Sequence, residues 1–152
     1  MENRIEKRIE LDAPVSRVWQ ALTNHKQFGE WFRAKFETQF IPGQAVQARM
    51  TWPGYEDFTF EITVKKMEPE RLFSFTWHPY AVDMKMDYSK EEPTLVEFLL
   101  EKTDKGTLLT VIESGFEKIP ENRRAEAFRM NDGGWSSQMK NINEYLTVHS
   151  QR

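Results

Sequence analysis

Residues 128–146 read FRMNDGGWSSQMKNINEYL and predict one long amphipathic helix. Their large apolar residues recur at helical intervals and so form one continuous stripe: Phe128, Trp135, Met139, Ile142 and Leu146. Gly133 and Gly134 interrupt this helix just before Trp135, and each glycine inside a helix costs about 1 kcal/mol relative to alanine. The pair therefore predicts a bend, or a point where another group comes very close to the helix backbone.

The residues before this helix alternate between apolar and polar, which is typical of strands that bury one face. Turn residues divide the alternation at Pro42-Gly43, Pro53-Gly54 and 68–70. The predicted strands, in chain order, are 36–40, 46–52, 58–64, 73–77, 95–102 and 107–114. In the connection after residue 77, the same alternation predicts part of the sheet or a segment folded over its edge: Val82, Met84, Met86 and Tyr88.

The last two strands are predicted to form a hairpin around the turn at residues 103–106. A four-residue loop sets three cross-strand pairs: Leu100 with Leu109, Phe98 with Val111, and Val96 with Glu113. Cross-strand partners share a face, so this register places Glu113 on the apolar face. A slip of one residue would reverse the direction of every side chain.

A strand and two short helices are predicted at the start of the chain. Ile5, Ile9 and Leu11 alternate with charged residues and predict a half-buried strand. Pro14 suits the first turn of a helix, where the missing N–H costs nothing. Helical spacing then predicts a short amphipathic helix over residues 15–22, and a second short helix or a turn is predicted over residues 25–31.

These elements together predict an α+β fold. Consecutive strands joined by short turns form an antiparallel sheet, and such a sheet must bury one face. The C-terminal helix is the one predicted element long enough to cover that face. We therefore predict a helix-grip arrangement, with a curved antiparallel sheet around a long C-terminal helix, in a single domain over residues 1–152.

Composition excludes several classes of function. The chain has 21 basic and 24 acidic residues without a basic run, which argues against nucleic acid and anionic membrane as partners. It has no cysteine, which excludes disulfides, thiolate metal sites and a cysteine nucleophile. The three histidines lack the spacing of a metal site, and no cofactor is predicted. Without a signal peptide or a long apolar stretch, we expect a cytoplasmic protein with no membrane insertion.

Short segments, in order along the chain, form a recognisable family pattern. They are Asp12-Ala13-Pro14, Val18-Trp19, Leu22-Thr23, Trp31-Phe32, Glu68 to Trp77, Thr94 to Phe98, Gly106 to Thr110, Glu113 to Phe116, Gly134-Trp135 and Tyr145-Leu146. This ordered set resembles activator of heat-shock protein 90 ATPase homologue-like domains over nearly the whole chain.

The resemblance implies the helix-grip fold of the START-like superfamily. Polyketide cyclases, lipid-transfer domains and plant allergen-like binders share that fold, and many of them hold an apolar ligand between the sheet and the long helix. In the eukaryotic co-chaperone the domain is joined to a second domain, whereas the 152 residues here fit one. One fold serves many activities, so the resemblance implies the fold more directly than the function.

The predicted ligand site lies between the concave face of the sheet and the long helix. Aromatic rings and thioethers suit a flat apolar ligand, although the same side chains could fill a solid core. Trp135 is either a pocket wall or a core residue, and Trp52 is either at the rim or packed on an edge. The predicted ligand-binding residues are Trp52, Phe60, Phe75, Trp77, Phe98, Glu113, Trp135 and Met139.

Glu113 is the main polar candidate. On an apolar face its carboxyl group would favour the neutral form, because burial penalises the charged one. It could then donate to a ligand or carry a proton. The alternative is an exposed residue at the end of a strand, beside Gly115.

The other polar residues form no catalytic pattern, and no catalytic residue is predicted. His78 either approaches the mouth of the cavity or, as a lone loop histidine, faces solvent. The pairs Glu91-Glu92 and Arg123-Arg124 are expected at the solvated surface.

Three hypotheses of function follow. The first is binding, without turnover, of a small hydrophobic or aromatic molecule such as a lipid, flavonoid or polyketide-like compound. The second is a chaperone-interacting module, which predicts an exposed patch on the outer face of the sheet with Leu95, Leu99 and Ile112. The third is an enzyme of the cyclase or dehydratase type, with Glu113 as its buried acid or base.

Overall fold

The computed structural model describes residues 3–81 and 85–149. Strand β1 (Arg4–Leu11) leads into helices α1 (Val15–Thr23) and α2 (His25–Phe32), as the sequence predicts. The other strands are β2 (Ala34–Phe36), β3 (Ala45–Met50), β4 (Thr59–Glu68), β5 (Leu72–Trp77), β6 (Thr94–Lys102) and β7 (Thr107–Ser114). A 3-10 turn at Phe116–Lys118 precedes the long helix α3 (Glu121–Val148).

The strands form one antiparallel sheet in the order β1-β7-β6-β5-β4-β3-β2. Helix α3 lies against this sheet and also contacts α1 and α2. A bulge between Val64 and Lys66 interrupts the regular pairing of β4 with β5, and such bulges bend and twist a strand. The predicted α+β fold, a curved sheet around a long C-terminal helix, is confirmed.

The register of the β6–β7 hairpin is the predicted one. Leu100 lies opposite Leu109, Phe98 opposite Val111, and Val96 opposite Glu113. Val96, Phe98 and Glu113 are all fully buried. The hairpin therefore brings the carboxyl group of Glu113 to the concave face of the sheet.

Two predictions about the extent of the sheet fail or fall outside the described residues. The strand predicted over residues 36–40 ends at Phe36, and Phe40 is buried in the loop that follows. Its ring stacks on Phe73 with centroids 5.4 Å apart, so tertiary packing explains its apolar character. In the connection before β6, Met86 and Tyr88 lie outside any strand, whereas Val82 and Met84 are not among the described residues.

Phe28 of α2 is the centre of an aromatic cluster that fills one part of the core. Its side chain is fully buried, and Asn24 fixes the start of its helix by accepting hydrogen bonds from the amides of Lys26 and Gln27. Aromatic pairs at such distances add packing energy beyond their buried area. Rings with centroids within 6.4 Å of Phe28 belong to Trp31, Phe32, Phe36, Phe40, Phe73, Phe75 and Phe98.

The glycine pair in α3 does not lie against the sheet. The helix continues through Gly133 and Gly134 without a break, and both residues are exposed. A Cβ atom built on either glycine would meet no described atom within 4 Å. The glycines therefore do not mark a close contact between helix and sheet. The predicted approach of another part of the protein to the helix backbone is wrong.

Replacing Gly133 by alanine should stabilise the protein. Because the added methyl group meets only open space, the gain is the helix preference of alanine, about 0.5–1 kcal/mol. Thermal melting should show a rise of about 1–4 °C.

The matched comparison is Gly106→Ala. Gly106 has φ +154°, and an added Cβ would lie 2.4 Å from the carbonyl oxygen of Leu11. This variant should be clearly destabilised. A lower melting temperature for Gly133→Ala would show that the pair has a structural role that the described contacts do not explain.

Candidate functional site

A cleft opens between the β3–β4 end of the sheet, the segment after β5 and the middle of α3. Its volume is about 660 Å³, which is within the range of small-molecule sites. Each of these three elements supplies part of the wall, so the cleft exists only in the folded protein. Its lining residues are Phe32, Met50, Trp52, Tyr55, Phe58, Thr59, Phe60, Trp77, His78, Pro79, Tyr80, Ala81, Met130, Asn131 and Gln138.

The lining is aromatic and carries no permanent charge. Seven of its side chains are Phe, Tyr or Trp, and two are Met. Among the described residues that line it, none is Asp, Glu, Lys or Arg. Such walls favour a flat, uncharged, apolar molecule, because the rings offer stacking surfaces and the thioethers adapt their shape.

A small recess adjoins the cleft beside α3. Its volume is about 90 Å³, and Gly134 and Trp135 are among its lining residues. Phe32, Trp77, Asn131 and Gln138 belong to both the cleft and the recess.

Directly behind this wall lies the buried carboxylate of Glu113. Its side chain has no exposed surface, and four side chains donate hydrogen bonds to it. The Oε1 atom accepts from Trp135 Nε1 at 2.8 Å and from Asn131 Nδ2 at 2.9 Å. The Oε2 atom accepts from Trp77 Nε1 at 2.8 Å and from Thr94 Oγ1 at 2.5 Å.

This arrangement suits a carboxylate, which only accepts hydrogen bonds. Both indole groups can only donate, so each oxygen faces at least one obligatory donor. The geometry therefore fits the ionised group and leaves neither oxygen available to donate a proton into the cleft. Glu113 is buried, as one of its two interpretations predicted, but in a polar cage rather than in purely apolar surroundings.

Two exposed aromatic residues stand at the mouth of the cleft. Trp52 is 45% exposed and Tyr55 is 50% exposed. The guanidinium group of Arg33, at the end of α2, lies over the Trp52 ring at 4.9 Å from its centroid. This cation–π contact and the hydrogen bond from Thr51 N to Arg33 O hold the rim against α2.

Arg123 of α3 holds the segment that forms the opposite wall. Its guanidinium group makes a forked ion pair with Glu91, with a shortest distance of 2.6 Å, and donates to the carbonyl oxygens of Pro79 and Tyr80. The ring of Tyr88 lies beneath it at 4.8 Å. The Arg123 and Glu91 side chains are only 12% and 10% exposed. The expectation that both residues are solvated at the surface is therefore wrong.

The predicted site residues separate into three groups. Trp52, Phe60 and Trp77 line the cleft, and Trp135 lines the recess. Glu113 lies behind the wall. Three others are buried in the core and are not among the residues of either wall: Phe75, Phe98 and Met139.

Sequence reasoning missed several lining residues, most importantly Asn131. A signal was present, because Asn131 lies four residues before Trp135 and thus on the same face of the helix. His78 lines the cleft while its Nε2 atom lies 2.9 Å from the carbonyl oxygen of Glu91. Tyr80 had no signal, because its position depends on the contact between its carbonyl and Arg123.

Comparison with protein families gives one clear match. The family model described as "Activator of Hsp90 ATPase homolog 1-like protein" matches residues 12–147. Proteins of curated function show no significant match. Among the described residues, no helix has both the length and the apolar character needed to cross a membrane.

Several solved structures share the fold. Protein MLL2253 from Mesorhizobium loti is 25% identical, with a TM-score of 0.74 over 95% of this chain and 97% of that one. The Aha1 dimer from Colwellia psychrerythraea is 17% identical, with a TM-score of 0.72 over 94% of this chain and 95% of that one. DynU16, from the dynemicin biosynthetic locus, is 21% identical, with a TM-score of 0.72 over 98% of this chain and 49% of its own.

Glu113→Gln should destabilise the protein by about 2–3 kcal/mol. The glutamine NH₂ group would replace one carboxylate oxygen and face an indole N–H donor, and the remaining donors would lose a charged acceptor. Chemical unfolding measures the change. The control is Glu97→Gln on the outer face of β6, where the change should stay within about 0.5 kcal/mol. Equal effects of the two substitutions would contradict a special role for the buried carboxylate.

Arg123→Lys should loosen the wall formed by residues 79–81, since lysine keeps the charge but cannot form the fork. Hydrogen exchange and limited proteolysis within residues 78–81 and 85–93 should become faster. Arg129, whose side chain is 71% exposed, provides the control substitution Arg129→Lys. Unchanged exchange in Arg123→Lys would show that other contacts hold this segment.

Proposed function

Because the chain belongs to the family of Activator of Hsp90 ATPase homolog 1-like proteins, we propose that it binds a small, uncharged, flat aromatic molecule in the cleft. The activity is capture or carriage without chemical turnover. One observation carries the proposal, namely a cleft of about 660 Å³ with seven aromatic side chains in its wall.

The energetics of the cleft support an apolar ligand. Apolar surface removed from water contributes about 25 cal/mol per Å², so a fused-ring molecule held between the rings gains most of its affinity from burial. The walls come from the sheet on one side and from α3 on the other, and Phe60 and Trp77 already pack on each other with centroids 6.0 Å apart. A flat molecule would extend this ring packing toward the exposed rim at Trp52.

The arrangement of polar groups supports binding over catalysis. An enzyme of the cyclase or dehydratase type needs an acid or base that is open to the substrate. Glu113 has both oxygens committed to four donors, and no Asp or Glu lines the described part of the cleft. His78 does line the cleft, and its Nε2 atom is paired with the carbonyl oxygen of Glu91 at 2.9 Å. A likeness to DynU16, which is named for a biosynthetic locus, agrees with small-molecule chemistry for the ligand.

The second candidate is a chaperone-interacting module. The family description favours it, and Leu95, Leu99 and Ile112 do lie on the outer face of the sheet. These three side chains are half-buried, and none of them is among the strongly exposed apolar residues. The aromatic cleft therefore gives the stronger support to ligand binding.

Thermal melting against a panel of lipids, flavonoids and aromatic polyketides tests the proposal. A ligand that binds only the native state adds about 2.7 kcal/mol at a hundred times its dissociation constant, a shift of several degrees. We expect saturable shifts for flat aromatic compounds.

Trp52→Ala should weaken these shifts, whereas Ile41→Ala, at an exposed residue outside the cleft wall, should preserve them. The absence of any shift across the panel would contradict ligand binding. The next experiment would then be a binding assay with the purified chaperone.

A further inference from the structure

The Glu113 carboxylate determines which way the side-chain amide of Asn131 points. Asn131 Nδ2 donates to Glu113 Oε1 at 2.9 Å. The nitrogen and oxygen of an amide side chain are normally hard to tell apart in a structure. Here the assignment follows from chemistry, because a carboxylate only accepts and can therefore face only the amide nitrogen.

The Asn131 Oδ1 atom is consequently turned away from Glu113. Asn131 is half-buried and lines both the cleft and the recess. Its Oδ1 atom accepts no hydrogen bond from the described part of the chain. Because the nitrogen faces the cage behind the wall, the oxygen is the polar atom left for the cleft side.

The neighbouring polar groups of this wall make hydrogen bonds within the protein. Gln138 donates to the carbonyl oxygen of Phe32 at 3.0 Å and accepts from Asn141 at 3.1 Å. The indole N–H groups of Trp77 and Trp135 both donate to Glu113. The wall beside α3 therefore offers the Oδ1 atom of Asn131 as an acceptor, next to two indole N–H groups that are already bonded to Glu113.

From this we propose that the ligand carries a hydrogen-bond donor, a ring hydroxyl or N–H group, which Asn131 Oδ1 accepts. The proposal rests on the cleft being a binding site, and it narrows the ligand to aromatic compounds that carry a hydroxyl or N–H group on the ring. Glu113 acts as a positioning residue, because it orients Asn131 without touching the ligand. A site built to accept a hydrogen bond discriminates against an analogue that cannot donate one.

Two probes of the same ring system test this inference, 2-naphthol and 2-methoxynaphthalene. The ether is the more apolar of the two, so burial alone favours it. For the unmodified protein we expect 2-naphthol to bind about tenfold more tightly, the effect of one hydrogen bond. Tryptophan fluorescence and calorimetry measure both dissociation constants.

Asn131→Leu should bring the two dissociation constants to within about twofold, mainly by weakening 2-naphthol. The control is Asn143→Leu, an exposed position on the same helix, which should keep the tenfold preference. Circular dichroism establishes that each variant is folded.

Nuclear magnetic resonance of the unmodified protein tests the hydrogen bond to Asn131 directly, without a substitution. The side-chain ¹⁵N amide signal of Asn131 should shift with 2-naphthol and much less with 2-methoxynaphthalene. The N–H proton that is bonded to Glu113 should stay protected, since that hydrogen bond remains.

The outcomes separate the two proposals. If neither probe binds, both the aromatic binding function and this inference are overturned. If both probes bind equally to the unmodified protein, binding stands and the donor requirement is overturned. If Asn131→Leu retains the preference for 2-naphthol, the assignment of the acceptor to Asn131 is overturned.

Discussion

The hydrogen bonds to the buried carboxylate of Glu113 determine how the long helix packs on the sheet. The carboxylate is fully buried, and a buried charge is costly unless it is surrounded by hydrogen-bond donors. Its four donors come from three elements, with Trp77 on β5, Thr94 on β6, and Asn131 and Trp135 on α3. They meet only when the strands have the observed register and α3 has one rotation about its axis. The carboxylate thus ties the long helix to the sheet in a single orientation.

This network also determines the character of the cleft. The N–H groups of Trp77 and Trp135 donate to Glu113, so the apolar ring surfaces of these residues, rather than their polar edges, form the walls. The aromatic cluster around Phe28 fills one part of the interior, and the open space remains where the rim near Trp52 faces α3. Arg123 completes the wall by holding the backbone at residues 79 and 80.

Local patterns predicted much of this arrangement. A four-residue turn of the expected composition and strict alternation specified the β6–β7 register, and that register placed Glu113 on the concave face. The helical stripe correctly identified Trp135 and Met139 as buried. The close contact predicted at the glycine pair was wrong, because helix propensity reports a local cost and does not show whether a neighbour is close. Glu91 and Arg123 misled too, because they are 32 residues apart and their pairing is a long-range contact.

The element order, the antiparallel hairpin and the face of the helix that meets the sheet can all be derived from the sequence. These features follow from periodicity and turn chemistry, which act over a few residues. Only the tertiary structure decided that Phe75 and Phe98 fill the core while Phe60 and Trp77 line a cleft. All four residues share the same alternation, and they differ in which part of the sheet α2 and α3 cover. That difference depends on distances between elements far apart in the chain, which no local pattern records.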